Sequence, residues 1–245
     1  MYTKPITDAS FSWAASKAMP IEESGEPLVP ISYCPERILA RPEYFFQGLS
    51  SALPEMYLRK GVYERLVDAA KRLPEGYRFV VFDGWRPLSL QSELFEQYKK
   101  ELAVSHPELD NAALSELTTR FVALPDANSA SPSPHNTGGA VDLSIADANG
   151  WLLYMGAEFD ETTERSKTTY FEKRVAVVEA PDGQEQLARD NRRLLFHAMN
   201  AAGFTNYPDE WWHFDYGNQN WALMSASKKA IYGGTCLPTR WMKRD

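Results

Sequence analysis

Ser133-Pro134-His135-Asn136-Thr137-Gly138-Gly139-Ala140-Val141-Asp142 sets an imidazole and a carboxylate seven residues apart, where a polar loop becomes a strand. Residues 131–139 are rich in Ser, Pro, Asn and Gly and read as irregular backbone. Residues 140–145 alternate small or polar with aliphatic side chains, the period of a strand. Val141, Leu143 and Ile145 then share one face, and Asp142 shares the other with Ala140 and Ser144. A His and an Asp converging in this way can hold a divalent metal, which directs attention to where further ligands lie.

The chain has only four histidines, so the choice is narrow. His213 sits in Glu210-Trp211-Trp212-His213-Phe214-Asp215-Tyr216, just after the turn signal Asn206-Tyr207-Pro208-Asp209. That segment offers a second imidazole and, three residues before it, a carboxylate. Two His and one Asp with a Glu nearby is the inventory of a catalytic zinc site, which uses three protein ligands and leaves one position to water. The Glu is the base for that water. His106 reads as a solvated histidine at a helix end and His197 as a partly exposed helical one.

The pattern Ser133-x-His135-x-x-Gly138-x-Ala140-x-Asp142, followed by Glu210-x-Trp212-His213, resembles the zinc D-Ala-D-Ala metallopeptidases, which include D,D-carboxypeptidases and vancomycin-resistance-type dipeptidases. Three further stretches resemble the dipeptidase branch: Phe82-Asp83-Gly84-Trp85-Arg86-Pro87, Met155-Gly156-Ala157-Glu158-Phe159-Asp160, and Asn191-Arg192-Arg193-Leu194-Leu195 leading to Gly203-Phe204-Thr205-Asn206-Tyr207-Pro208. Several spaced motifs in order are far more specific than any one alone. The resemblance implies one Zn²⁺ per chain on His135, Asp142 and His213, with Glu210 as the base and Arg86 stabilising the oxyanion. It implies a small dipeptide substrate such as D-alanyl-D-alanine. The rival readings are a D,D- or L,D-carboxypeptidase acting on muropeptides and a non-catalytic zinc-binding module; a purely structural site has no use for Glu210 or Arg86.

Supporting roles follow from the same resemblance. Ser133 contacts substrate, orients a ligand or closes its loop. Asp83 either orients Arg86 or makes the turn. Tyr33 falls about where the family has a tyrosine that binds the substrate amino end, or it packs. The chain departs from the family at Tyr154, where an acid usually precedes Met-Gly, and at Ala157-Glu158, where Thr-Pro is usual. Glu158 or Asp160 is then the candidate to receive the substrate ammonium.

At 245 residues and 44% hydrophobic, the chain can bury a sizeable core, and one domain over 1–245 is the simplest reading. Its net charge of −7 and lack of a basic cluster disfavour nucleic acid and anionic membranes as partners. No segment resembles a signal peptide or a membrane span, which predicts a cytoplasmic protein. Cys34 and Cys236 are far apart and read as free thiols.

The spacing of apolar residues predicts helices over 59–73, from Pro87 to about 102, over 111–124 and over 184–202. Strands are predicted over 77–82 and 140–145, and a hairpin at Asp147-Ala148-Asn149-Gly150 is expected to return 151–155 antiparallel to the metal-bearing strand. Residues 125–134 read as a loop delivering the metal motif, residues 1–30 as a surface wrap, and 161–182 have no assignment. The fold class expected is α+β, with N-terminal helices packed on an antiparallel sheet that carries the His/Asp/His site.

Overall fold

The strand that bears Asp142 is paired on both sides and buried along its whole length, so the fold is built outward from it. The computed structural model describes residues 4–119, 122, 130–177 and 182–238. In chain order, its elements begin with α1 (Trp13–Lys17), β1 (Leu28–Pro30), β2 (Ile38–Ala40), α2 (Glu43–Phe46), β3 (Tyr57–Arg59), α3 (Lys60–Ala70) and β4 (Arg78–Asp83). There follow α4 (Leu88–Ser105), α5 (Asn111–Thr118), a 3₁₀ turn at His135–Thr137 and β5 (Ala140–Ala146). A second 3₁₀ turn at Glu164–Ser166 precedes α6 (Tyr170–Val177), α7 (Gly183–Asn200), β6 (Thr205–Asn206), β7 (His213–Asp215) and α8 (Gln219–Met224).

The main sheet has the order β2-β4-β5-β7-β6, and β1 pairs with β3 in a separate ribbon. Pairing is antiparallel throughout the main sheet except at its edge, where β2 runs parallel to β4. The chain passes through α2, β3 and α3 between those two strands, and a crossover of that length brings a strand back in the same direction. The α+β expectation holds, with one parallel strand added to the sheet.

Val141, Leu143 and Ile145 are fully buried, as the alternation requires, and join one hydrophobic cluster with Val62, Leu66, Ala69 and Ala70 of α3 and Leu194, Leu195, Ala198 and Met199 of α7. Each fully buried Leu or Ile contributes about 1.5–3 kcal/mol. The opposite face of β5 is buried too, and its Asp142 lines the site.

Two expectations need correction. After β5 the chain does turn back, with Asp147 N donating to Trp151 O at 2.9 Å and Leu153 N to Ile145 O at 2.8 Å, but it forms a single bridge, Ala146 to Leu152, and no strand. The reason is that β7 already pairs with Ala140–Asp142 on β5, leaving room only beyond it. The third helix ends at Thr118 rather than 124; residues 120, 121 and 123–129, including much of the predicted 125–134 loop, lie outside the described residues.

The unassigned 161–182 region contains the Glu164–Ser166 turn and α6, with 178–181 outside the described residues. Its first part is fastened by the buried Arg192 of α7, which donates to Met155 O at 2.7 Å, Arg165 O at 2.7 Å and Lys167 O at 2.8 Å. Those bonds fix the wall of the cleft described next. At the other end of the chain, α1 packs on α8, and Ser16 Oγ donates to Asn220 Oδ1 at 2.6 Å.

Candidate active site

Adjacent strands β4, β5 and β7 place Asp83, Asp142 and His213 in a row, through the registers Asp83 to Asp142 and Asp142 to His213. A register shift between Val81 and Asp83 re-aims the end of β4 toward the site. His135 arrives from the 3₁₀ turn. That turn ends at Gly138 with φ +70°, where a Cβ would also lie 2.6 Å from Leu28 Cδ2, so only glycine serves.

Each imidazole has one nitrogen engaged from outside and the other turned inward. His135 Nδ1 donates to the Gly84 carbonyl at 2.8 Å, leaving Nε2 to face Asp142 Oδ2 at 3.3 Å. A side chain at 84 would put its Cβ 2.7 Å from Tyr57 O, which explains the glycine whose carbonyl holds the ring. His213 Nε2 makes an ion-pair contact of 3.1 Å with Asp215 Oδ1, and its Nδ1 lies 3.0 Å from Asp142 Oδ1. The three candidate ligand atoms lie within 4.8 Å of one another, and Asp142 Oδ1 and His213 Nε2 are both buried with close charge contacts but no well-formed hydrogen bond. Two inward nitrogens and an unpartnered carboxylate oxygen on one point are the donor set of a divalent cation.

The electrostatics carry the same message. Burial alone would raise the Asp142 carboxyl, yet His135 and His213 hold it far below the usual carboxylate range. Burial opposes protonation of His213, but Asp215 and Asp142 push it well above its ordinary value. The buried carboxylates thus favour positive charge at this point, which a bound dication would supply.

Asp215 is the outer partner that the sequence reading passed over, although its place two residues after His213 on a strand puts it on the same face. It is 1% exposed and held by Asn218 Nδ2 at 2.5 Å and Asn220 Nδ2 at 3.3 Å. Carboxylates behind ligating histidines fix ring orientation and raise basicity. Asp215→Ala should therefore weaken metal affinity by about 10–100-fold, measured by competition with a chelating dye.

Glu210 Oε2 lies 3.7 Å from His213 Nδ1, and its side chain keeps 31% exposure to the cleft. Burial raises its carboxyl to about 8, with Asp142 and Asp160 adding to the rise against the opposing pull of His213 and Arg86. Across the site, Arg86 Nε and Nη2 donate to Asp83 Oδ2 at 2.8 and 2.6 Å, and Nη1 donates to Gln91 Oε1 at 3.0 Å. Asp83 thus ends its strand and also holds Arg86. Burial works against the guanidinium charge, but Asp83, Tyr44 and Asp142 more than restore it.

The remaining candidates divide. Ser133 lines the cleft with its Oγ buried and unpartnered, available to a substrate. Asp160 also lines it, with a left-handed φ of 62°, and accepts 2.8 Å from Tyr44 Oη. Loss of hydration around the carboxyl and the nearby Asp142 raise it to about 7 against the pull of Tyr44 and Arg86, although the residue as a whole is exposed to the cleft. Tyr33 does neither thing expected of it: it is 78% exposed and lies outside the cleft lining. A buried ring on the cleft wall that the sequence reading did not single out is Tyr44, with Arg86 5.1 Å from its centroid; its short helix carries no motif that would have marked it. Tyr154 and Glu158 are exposed and outside the lining, so the change at 154 does not fall on the cleft wall. His106 is exposed beside Glu108, His197 accepts or donates at Lys4 O, and Cys34 and Cys236 are free.

Residues 58–229 match the family model described as D-ala-D-ala dipeptidase, peptidase M15. The chain belongs to this family. An M15 peptidase is a hydrolase, and a D-alanyl-D-alanine dipeptidase of Synechocystis sp. is 34% identical over 84% of this chain and 87% of that protein. The Escherichia coli K12 and Enterococcus faecalis proteins of the same name are 29% and 31% identical, each over 57% of this chain. Those alignments span 55% and 62% of the two relatives' lengths, a little over half. Among solved structures, the vancomycin-resistance D,D-pentapeptidase VanY with Zn(II) aligns with a TM-score of 0.42 and 18% identity over 84% of this chain and 88% of that one. Among the described residues, no helix of this M15 member is long and apolar enough to cross a membrane.

Proposed function

We propose that this chain is a single-domain, zinc-dependent dipeptidase that hydrolyses D-alanyl-D-alanine or a similar small dipeptide with a free amino end. The observation that carries the reading is the convergence of His135 Nε2, His213 Nδ1 and the unpartnered Asp142 Oδ1, with Glu210 and Arg86 on the same cleft. One Zn²⁺ on those three ligands would supply a Lewis acid that polarises the scissile carbonyl and acidifies water.

The chain's own groups do the rest. Glu210 takes a proton from the water that adds to the carbonyl carbon and returns it to the leaving amine as the C–N bond breaks. Arg86, oriented by Asp83, places guanidinium donors toward the oxygen where negative charge develops. Asp160, supported by Tyr44, receives the substrate ammonium, and the free Ser133 hydroxyl contacts the substrate. A substrate of this size, together with the net charge of −7, fits a cytoplasmic enzyme with no nucleic-acid partner.

The discriminating experiment compares free D-Ala-D-Ala with its N-acetylated form on zinc-loaded protein, following release of D-alanine. Cleavage of the free form alone supports amine recognition through Asp160. A preference for the acetylated form would move the chain to the carboxypeptidase reading.

A further inference from the structure

The cleft is wider than two alanines require. This open cleft offers about 480 Å³, a size within the roughly 300–1,000 Å³ typical of pockets for much larger ligands. One of its walls is aromatic and is built partly from a segment upstream of the family match at 58–229. Trp13, at the start of α1, lies with its ring centroid 5.4 Å from that of Tyr207. Phe11 packs edge-on to both at 5.0 Å, and Tyr207 in turn stands 6.0 Å from the ring of His213. The wall is therefore one ring removed from a candidate metal ligand, and α1 is pinned in place by the Ser12 cap and the Ser16 bond to Asn220. Trp13 keeps 40% exposure, so its surface is not spent on the core.

The direction of the substrate follows from the roles already assigned, and the inference rests on them. With the ammonium at Asp160, the leaving amine lies at Glu210, whose backbone N–H bonds to Tyr207 O at 3.1 Å. Tyr207 and Trp13 line the same cleft as Glu210, and the Tyr207 ring stands 6.0 Å from that of His213, so the residue that departs with that amine is taken to lie on the Tyr207 side. We propose that Trp13 and Tyr207 wall a subsite for the side chain of the C-terminal residue, so that the enzyme takes D,D-dipeptides ending in an aromatic residue as well as D-Ala-D-Ala. An aromatic side chain there would pack edge-on or offset against preformed rings, with little ordering cost.

The test measures kcat/KM for D-Ala-D-Ala and D-Ala-D-Phe on zinc-loaded wild type, Trp13→Ala and Trp13→Phe. Wild type should cleave both. Trp13→Ala should lower the ratio of D-Ala-D-Phe to D-Ala-D-Ala by about tenfold, mainly through KM, and Trp13→Phe should restore most of it. An unchanged ratio in Trp13→Ala, or wild type that cleaves D-Ala-D-Ala and ignores D-Ala-D-Phe, overturns the subsite while leaving the dipeptidase reading in place. Cleavage of neither peptide by zinc-loaded protein overturns that reading and this subsite with it.

Discussion

Glu210→Ala should bind zinc and turn over substrate at least 10²-fold more slowly than wild type, the loss expected when a positioned general base is removed. Glu210 is not one of the three candidate ligands, and its side chain stands 31% exposed at the cleft, so the fold and the metal should survive. Metal analysis after gel filtration checks the first part and single-turnover kinetics the second; a rate above about a tenth of wild type would remove Glu210 from the mechanism. The pH profile gives an independent reading. The base must be ionised to accept a proton, so kcat/KM should rise with pH through its pKa. That pKa is about 8 without a metal, and a nearby dication favours the charged carboxylate. The acid limb of the zinc enzyme should therefore have its midpoint below 8.

Arg86→Ala should cost about 10²–10³-fold in kcat, because a donor aimed at developing charge acts only as the reaction proceeds. This substitution also leaves Asp83 buried and without its guanidinium, a loss of about 3–5 kcal/mol if nothing relaxes. Denaturant unfolding separates the two effects, and Arg86→Lys provides the control. Lysine keeps the charge but lacks the fork that engages Asp83 and Gln91 together, so kcat should remain far below wild type even where the protein is fully folded. A folded Arg86→Lys enzyme with wild-type kcat would mean that Arg86 is a structural ion pair.

The ligand-bearing parts of the site were legible because their signals are local. A two-residue period put Asp142 opposite Val141, Leu143 and Ile145, and a turn signal with a nearby Glu marked His213, which the structure pairs directly across from Asp142. Arg86 could be read for the same reason, standing between a strand end and a helix start. What escaped was brought in from far along the chain. Tyr44 reaches Asp160 across 116 residues and Trp13 reaches Tyr207 from the N-terminal helix, and neither position carries a pattern of its own. Tyr33 misled because a loose positional match says nothing about which way a loop side chain points. The parallel edge strand and the stunted hairpin were likewise invisible, since both depend on which neighbour occupies the edge of a strand first. Asp215 is the one omission that alternation along β7 could have supplied.

The central claim is that hydrolysis depends on one zinc held by His135, Asp142 and His213. Its most direct test is titration of Zn²⁺ into metal-free protein while D-alanine release from D-Ala-D-Ala and bound metal are followed together. The account predicts no turnover at the start and a linear rise that ends at one equivalent, with both signals lost in His213→Ala. Turnover by the metal-free protein, or a site saturated with zinc that cleaves no free D,D-dipeptide, would contradict it.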